Sequence, residues 1–250
     1  MSAPLLEAVG LNKRFGAVVA AQDLNISVPA GQRLSLIGSN GAGKTTFVNM
    51  VTGYLRPDSG QIRLLGKDVT GQPPRVLARQ GICRSFQIPQ LFLELTVLEN
   101  LLVAVTASNP HGLSPWRSSQ RADAVAHAHE LLARFSLEAT AHKPVSELAG
   151  GVRKLLDIAM ALARHPLLLL LDEPTSAVSV DEKFVTMERL MQALSHEQAT
   201  VFFVEHDMEI VSRFSERVIA FYSGRIIADG TATDVLANED VQRHVTGGAV

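Results

Sequence analysis

The stretch L-S-L-I-G-S-N-G-A-G-K-T-T, Leu34 to Thr46, is where a reading of this chain begins. Leu34 to Ile37 is an apolar run, predicted as a strand. It enters a glycine-rich turn that leads into Lys44, Thr45 and Thr46, where a helix is predicted to start. The spacing G-x-x-x-x-G-K-T is that of a phosphate-binding loop. Gly38, Gly41 and Gly43 free the backbone to curl, so that N–H groups from Ser39 through Asn40 and Ala42 can point at a phosphate chain. The N-terminus of the following helix adds partial positive charge at the same point. Lys44 can reach β and γ phosphates, and the Thr45 hydroxyl can hold a magnesium ion. Strand, loop and helix together make an α/β fold and nucleotide binding the first expectations.

Composition bounds what surrounds this loop. The 250 residues suffice for one large domain, or one domain with an inserted lobe. A formal net charge of -2 gives no general attraction to nucleic acid. The single cysteine, Cys83, excludes an intrachain disulfide framework and fits a reducing compartment. The opening residues, M-S-A-P-L-L-E, lack a basic region followed by a long apolar run, so no signal peptide is expected. Pro166 to Leu171 is the most apolar stretch and far too short to span a bilayer.

Before the loop, Leu6 to Val9 and Leu24 to Val28 are predicted edge strands, with Lys13 to Gly16 as a strand end and turn. Phe15, just before that turn, reads either as a core aromatic or as a ring that stacks on a base. After it, a helix from Lys44 should stop near Gly53, and Gln61 to Leu65 should be a strand. Helix Arg75 to Gln80 and a short strand ending at Gln87 follow. Residues 92–106 support a helix from near Thr96, 107–119 a Pro/Gly/Ser-rich loop containing Trp116, and Arg121 to Phe135 a second helix. This looks like a helical lobe inserted in the α/β core. The core returns with a helix from Val152 to Ala163, a doubly buried strand from Leu167 to Leu171, a helix from Asp181 to Leu194 and a strand from Thr200 to Val204. Met208 to Phe214 reads as a helix, and Val218 to Asp229 as a hairpin about Ser223-Gly224, before two short terminal helices.

Four further sites carry chemistry. Asp172 and Glu173 end a buried strand, where parallel sheets bind ligands. Asp172 is placed to support magnesium through water, and Glu173 to polarise the water that attacks a γ-phosphate. His206 and Gln87 follow strands in the same way. By residue type alone His206 is either structural or a γ-phosphate contact, and Gln87, at the boundary with the helical lobe, is a metal ligand, a γ-phosphate sensor or a plain loop amide. Ala149, Gly150 and Gly151 precede a helix, where the glycines read as a flexible cap or as a second anion site. A second anion site is hard to use within one subunit and suits a nucleotide held by another.

In order and spacing these segments resemble the ATP-binding subunits of ABC transporters over nearly the whole chain. G-S-N-G-A-G-K-T at 38–45 is similar to the Walker A, S-F-Q ending at Gln87 to the Q-loop, and L-L-L-L-L-D-E-P at 167–174 to the Walker B. L-A-G-G-V at 148–152 stands in place of the L-S-G-G-Q signature, residues 176–181 in place of the D-loop, His206 at the switch histidine and Phe15 at the adenine-stacking position. The resemblance implies a P-loop NTPase of ABC ATPase type with an N-terminal antiparallel β portion. It implies a core of residues 1–86 and 164–250, and a helical subdomain at 87–163 that includes the signature. It also implies ATP and Mg2+ as ligands, the latter at Thr45, Gln87 and Asp172, with Glu173 and His206 catalytic.

F-Q-I-P-Q-L-F-L-E-L-T-V-L-E-N-L-L-V-A, the loop at 107–119 and the short tail resemble ATPases of importers for branched-chain amino acids, urea and related compounds. Such a chain would pair with a second ATPase subunit, the same or different, on two membrane permeases served by an extracytoplasmic binding protein. It would sit on the cytoplasmic face of the membrane with no nucleic acid partner. Ala149, Val152 and Ser179 depart from the family's usual serine, glutamine and aspartate. Ala149 gives up a hydroxyl bond to the partner's nucleotide worth about 1.5–3 kcal/mol where made, although some branched-chain importer ATPases share that alanine. Two rival readings are a weakly hydrolysing, ATP-gated member of an asymmetric pair and a soluble ABC-type ATPase of nucleic-acid or translation work.

Overall fold

The computed structural model describes residues 3–108, 118–176, 178, 182–195, 197 and 199–247, with backbone alone at 118–121. Two long strands, β1 (Leu6–Phe15) and β2 (Val18–Val28), pair antiparallel about Gly16 and Ala17. Leu6, Ala8, Leu24, Ile26 and Val28 are buried along them, the two-residue period of a half-buried sheet. A register shift between Ala8 and Leu11 then turns Leu11 inward as well. β1 thus continues through Lys13 to Phe15, where the sequence suggested a strand end.

The strand β3 (Arg33–Gly38) enters the phosphate loop and α1 (Lys44–Val51) leaves it. β4 (Ser59–Leu64) and β5 (Lys67–Asp68) complete a four-stranded antiparallel sheet in the order β2-β1-β4-β5. α2 (Pro74–Arg79) begins on a proline, whose missing N–H costs nothing at a helix start. β6 (Ile82–Ser85) stops two residues before Gln87, so that Gln87 lies on a loop. α3 (Val97–Ser108) opens on a capping box: the Thr96 N–H donates to Glu99 and the Glu99 N–H to Thr96 Oγ1. α4 (Ser118–Arg134) and α5 (Gly150–Leu162) follow. α5 starts at Gly150 rather than Val152, because the extended Ala149 is its N-cap. Trp116 and Ser179 lie outside the described residues, as does the Asp181 start expected for the next helix.

The last third adds β7 (Leu168–Asp172), α6 (Lys183–Leu194), β8 (Thr200–Val204), α7 (Met208–Phe214), β9 (Arg217–Tyr222), β10 (Arg225–Gly230) and α8 (Ala232–Ala237). Leu167 remains outside its expected strand and is 40% exposed. The second sheet has the order β10-β9-β3-β8-β7-β6. Its five strands from β9 to β6 run parallel, and β10 alone is antiparallel.

The leucine run of β7 shows how both faces of this sheet are covered. Leu168 and Leu170 join the cluster that holds Leu34, Leu36 and Phe47, under the antiparallel sheet. Leu169 and Leu171 join the opposite cluster, which also contains Leu101, Leu131, Phe135 and Leu156 from the α3–α5 region. Those helices therefore share one continuous apolar core with the sheet. Phe135 is fully buried within it. Phe135→Ala is expected to cost about 3–5 kcal/mol of stability, read as a lower midpoint in urea with an unchanged slope.

Candidate functional site

Parallel pairing carries β3, β6, β7 and β8 to one edge of the sheet with the same polarity. Whatever follows each strand gathers there, which is where open α/β sheets bind ligands. The loop after β3, Gln87 after β6, Asp172 and Glu173 at the end of β7 and His206 after β8 all line one cleft of about 600 Å³. A cleft of this size suits a nucleotide-sized ligand.

Two glycines show why the loop needs its sequence. Gly38 has φ 150°, and a Cβ there would lie 2.5 Å from the Phe221 carbonyl oxygen. Gly43 has φ 112°, and a Cβ there would lie 2.6 Å from the Ala20 carbonyl oxygen. Only a glycine lets the loop pass β9 on one side and β2 on the other. Lys44, the first residue of α1, is 5% exposed. Its Nζ donates to the carbonyls of Gly38 at 2.5 Å and Ser39 at 3.1 Å. Burial lowers its pKa, while the nearby Glu173 and Asp172 carboxylates raise it. Asn40 through Thr46 line the cleft.

Glu173 adopts a left-handed backbone with φ 45°, a conformation that costs energy in a non-glycine residue and concentrates at functional sites. Its N–H is tied to the Val204 carbonyl at 2.9 Å. Its Oε2 accepts from Gln87 Nε2 at 2.8 Å, and its Oε1 lies 3.3 Å from His206 Nε2. The structure thus brings Gln87, Glu173 and His206 into one chain of contacts, from three different strands. Glu205, beside His206, is held in place by the Thr175 hydroxyl and the His206 N–H, and burial raises its pKa. Asp207 caps α7 through the N–H groups of Glu209 and Ile210 and pairs with Lys183.

Asp172 has a partner that the sequence reading missed. The guanidinium of Arg84 donates to Asp172 Oδ2 at 2.5 Å and to Asn49 Oδ1 at 2.6 Å, and lies 5.1 Å from the Phe86 ring centroid. Arg84, Phe86, Ile88 and Gln90 all line the cleft. A charge inside the short strand I-C-R-S was the available signal. The Thr45 hydroxyl, the Asp172 carboxylate and the Gln87 amide oxygen are all hard oxygen donors, the set that suits magnesium held between protein and phosphates.

Other expected residues fall elsewhere. Phe15 is 53% exposed at the β1–β2 turn, with Lys13 Nζ over its ring at 5.8 Å, and is not a core aromatic. Neither it nor Ser39 lines the cleft. Ala149 and Gly150 are exposed at the start of α5, also away from the cleft lining. Ala149 caps that helix without a side-chain hydrogen bond, which leaves the first-turn amides of Gly150 and Gly151 for another acceptor.

A glycine loop at a helix N-terminus, facing two strand-end carboxylates and a histidine, defines a P-loop nucleotide-binding cassette. Residues 21–176 match the ABC transporter family. Over its full length the chain is 36% identical to the high-affinity branched-chain amino acid transport ATP-binding proteins BraF of Pseudomonas aeruginosa and LivG of Escherichia coli, each covered completely. The chain belongs to the ABC transporter family, as one of its ATP-binding ATPase subunits. Its fold is similar to the ADP conformation of an ATP-binding cassette of an ABC transporter, with TM-score 0.83 and 31% identity over 96% of this chain and 97% of the other. Among the described residues no helix is long and apolar enough to cross a membrane.

Proposed function

We propose that this chain hydrolyses ATP to power import of branched-chain amino acids, or related small polar compounds, through a pair of membrane permeases. The contact chain Gln87–Glu173–His206 beside Lys44 is the observation that carries the hydrolytic part. Likeness to BraF and LivG over the full length supports the transported class.

In this reading the loop amides from Ser39 to Thr46 hold the phosphates, and Lys44 exchanges its carbonyl acceptors for phosphate oxygens. Phe15 supplies a ring for the adenine outside the cleft. Thr45, Asp172 and Gln87 would hold Mg2+, which supplies charge neutralisation on the β and γ phosphates when bound. Glu173 takes the proton of the attacking water, and His206, next to it, stabilises the charge that grows on the γ-phosphate. Ala149, Gly150 and Gly151 offer their amides to ATP bound by a second ATPase subunit. Residues 87–163 form the helical subdomain that meets the permeases, and 1–86 with 164–250 the nucleotide-binding core. That arrangement holds the chain at the cytoplasmic face of the membrane, opposite an extracytoplasmic binding protein.

The test is reconstitution. Co-expressed with the permeases of its own operon or complex and placed in vesicles, the chain should drive ATP-dependent uptake of labelled leucine, isoleucine or valine. ATP hydrolysis without association with any permease, together with co-purification on ribosomes or DNA, would overturn the transport reading. The bare Ala149 cap favours one variation: a site that supports its partner's turnover weakly. In that case disabling this chain's glutamate would leave less activity than disabling the partner's.

A further inference from the structure

Behind the cleft lies a charged pair that the mechanism above does not use. Lys154 and Asp157 sit three residues apart on α5, in the otherwise apolar run K-L-L-D-I-A. Lys154 is fully buried at 0% exposure, and Asp157 is 7% exposed. Lys154 Nζ donates to the Phe86 carbonyl at 2.7 Å and to the Asp172 carbonyl at 2.8 Å. These are the residues immediately before Gln87 and Glu173, whose own side chains are bonded at 2.8 Å. One ammonium therefore closes a ring around the Gln87–Glu173 pair, fastening both backbones from below. Asp157 fastens the same loop at both ends: it accepts from Ser85 Oγ at 2.5 Å and from the Gln90 N–H at 3.3 Å.

Burial works against both charges. It lowers the Lys154 pKa and raises that of Asp157, and each is opposed by the other and, for Lys154, by Asp172, Glu205 and Glu173. Two buried charges, each bonded to other groups, are a poor source of stability, since taking a charge out of water is costly. What they supply is position. The same helix begins with Gly150 and Gly151, only one turn before Lys154, and the i→i−4 backbone bonds of a helix link that turn to the next.

We propose that Lys154 is a positioning residue that ties the first turn of α5 to this chain's own Gln87–Glu173 pair. A shift of that turn, when it meets the nucleotide of a second subunit, is carried through Lys154 to the two backbones that set the hydrolytic carboxylate. Asp157 anchors the far side of the Gln87 loop, so that the loop follows the helix. This inference rests on the hydrolytic reading of Glu173.

The test compares Lys154→Met and Lys154→Arg in the assembled complex, with Glu173→Gln as reference. Lys154→Met keeps the bulk and removes the donor. It should bind ATP as the wild type does, and its KM for ATP should hold. Its kcat should fall by about 100-fold, the size of effect expected when a reacting group is displaced by an ångström. Lys154→Arg, which keeps charge and donors, should recover most of that loss. A purely structural role would instead lower the melting temperature and leave kcat of the folded fraction unchanged, and that result overturns the proposal. Where Lys154→Met yields no folded complex, Lys154→Leu, which also lacks a donor, is read by the same criteria. Loss of turnover in Glu173→Gln alongside wild-type kcat in Lys154→Met sinks the positioning role of Lys154 alone. Wild-type turnover in Glu173→Gln sinks the hydrolytic reading itself.

Discussion

Glu173→Gln is expected to stop turnover while leaving ATP bound. The substitution keeps the shape of the side chain, so it still fits between Gln87 Nε2 and His206 Nε2. It removes the only function that an amide cannot perform there, acceptance of a proton from water. General bases contribute about 10²- to 10⁴-fold, and phosphate release by the assembled complex should fall within that range. The nucleotide extracted from the complex after incubation should be ATP rather than ADP. The strained backbone at Glu173 sharpens the expectation, since its φ of 45° fixes where the side chain emerges from β7. Aspartate at this position would draw the carboxylate back by one methylene and should fare little better than glutamine.

Lys44→Ala is expected to fail earlier, at binding. Lys44 is buried at the base of the cleft, its ammonium held by Gly38 and Ser39 carbonyls that belong to the loop itself. Removal takes away the fixed cation opposite the phosphates and leaves two carbonyls without their donor. A hydrogen bond to a charged group contributes about 1.5–3 kcal/mol, so ATP affinity should drop about 10- to 150-fold. Titration calorimetry would show the loss, and the upward shift of melting temperature with ATP should shrink with it. The two variants separate cleanly: one holds ATP without turning it over, the other does not hold it.

Much of this site is legible in the chain because its parts are local. Strand, phosphate loop and helix start lie within thirteen consecutive residues, and the loop geometry follows from three glycines at set spacing. Asp172, Glu173 and His206 each stand at the end of a short apolar run that reads as a buried strand, so their convergence follows from parallel pairing. What the sequence hides is lateral. Nothing in I-C-R-S says that Arg84 reaches Asp172, 88 positions away, and nothing in K-L-L-D says that Lys154 bonds two carbonyls across the sheet edge. The hint was a charge inside a short strand or an apolar helix run, which points to a buried partner without naming it. Local boundaries slipped where cap and extension compete. α5 begins at Gly150 because an extended Ala149 ends the loop, and β6 ends at Ser85 because the chain turns there to put Gln87 against Glu173. Phe15 was open between core and base-stacking, and its exposure removes the first of these.

The central claim is that this cleft is half of a shared site, completed by another subunit's glycine pair. Specific ATPase activity, measured against subunit concentration and against added second ATPase subunit of the same complex, tests it most directly. The expected result is an activity per mole that rises steeply with either addition and then saturates. A flat activity per mole, from dilute chain to assembled pair, would contradict the claim, because it would show that one chain carries a complete hydrolytic site.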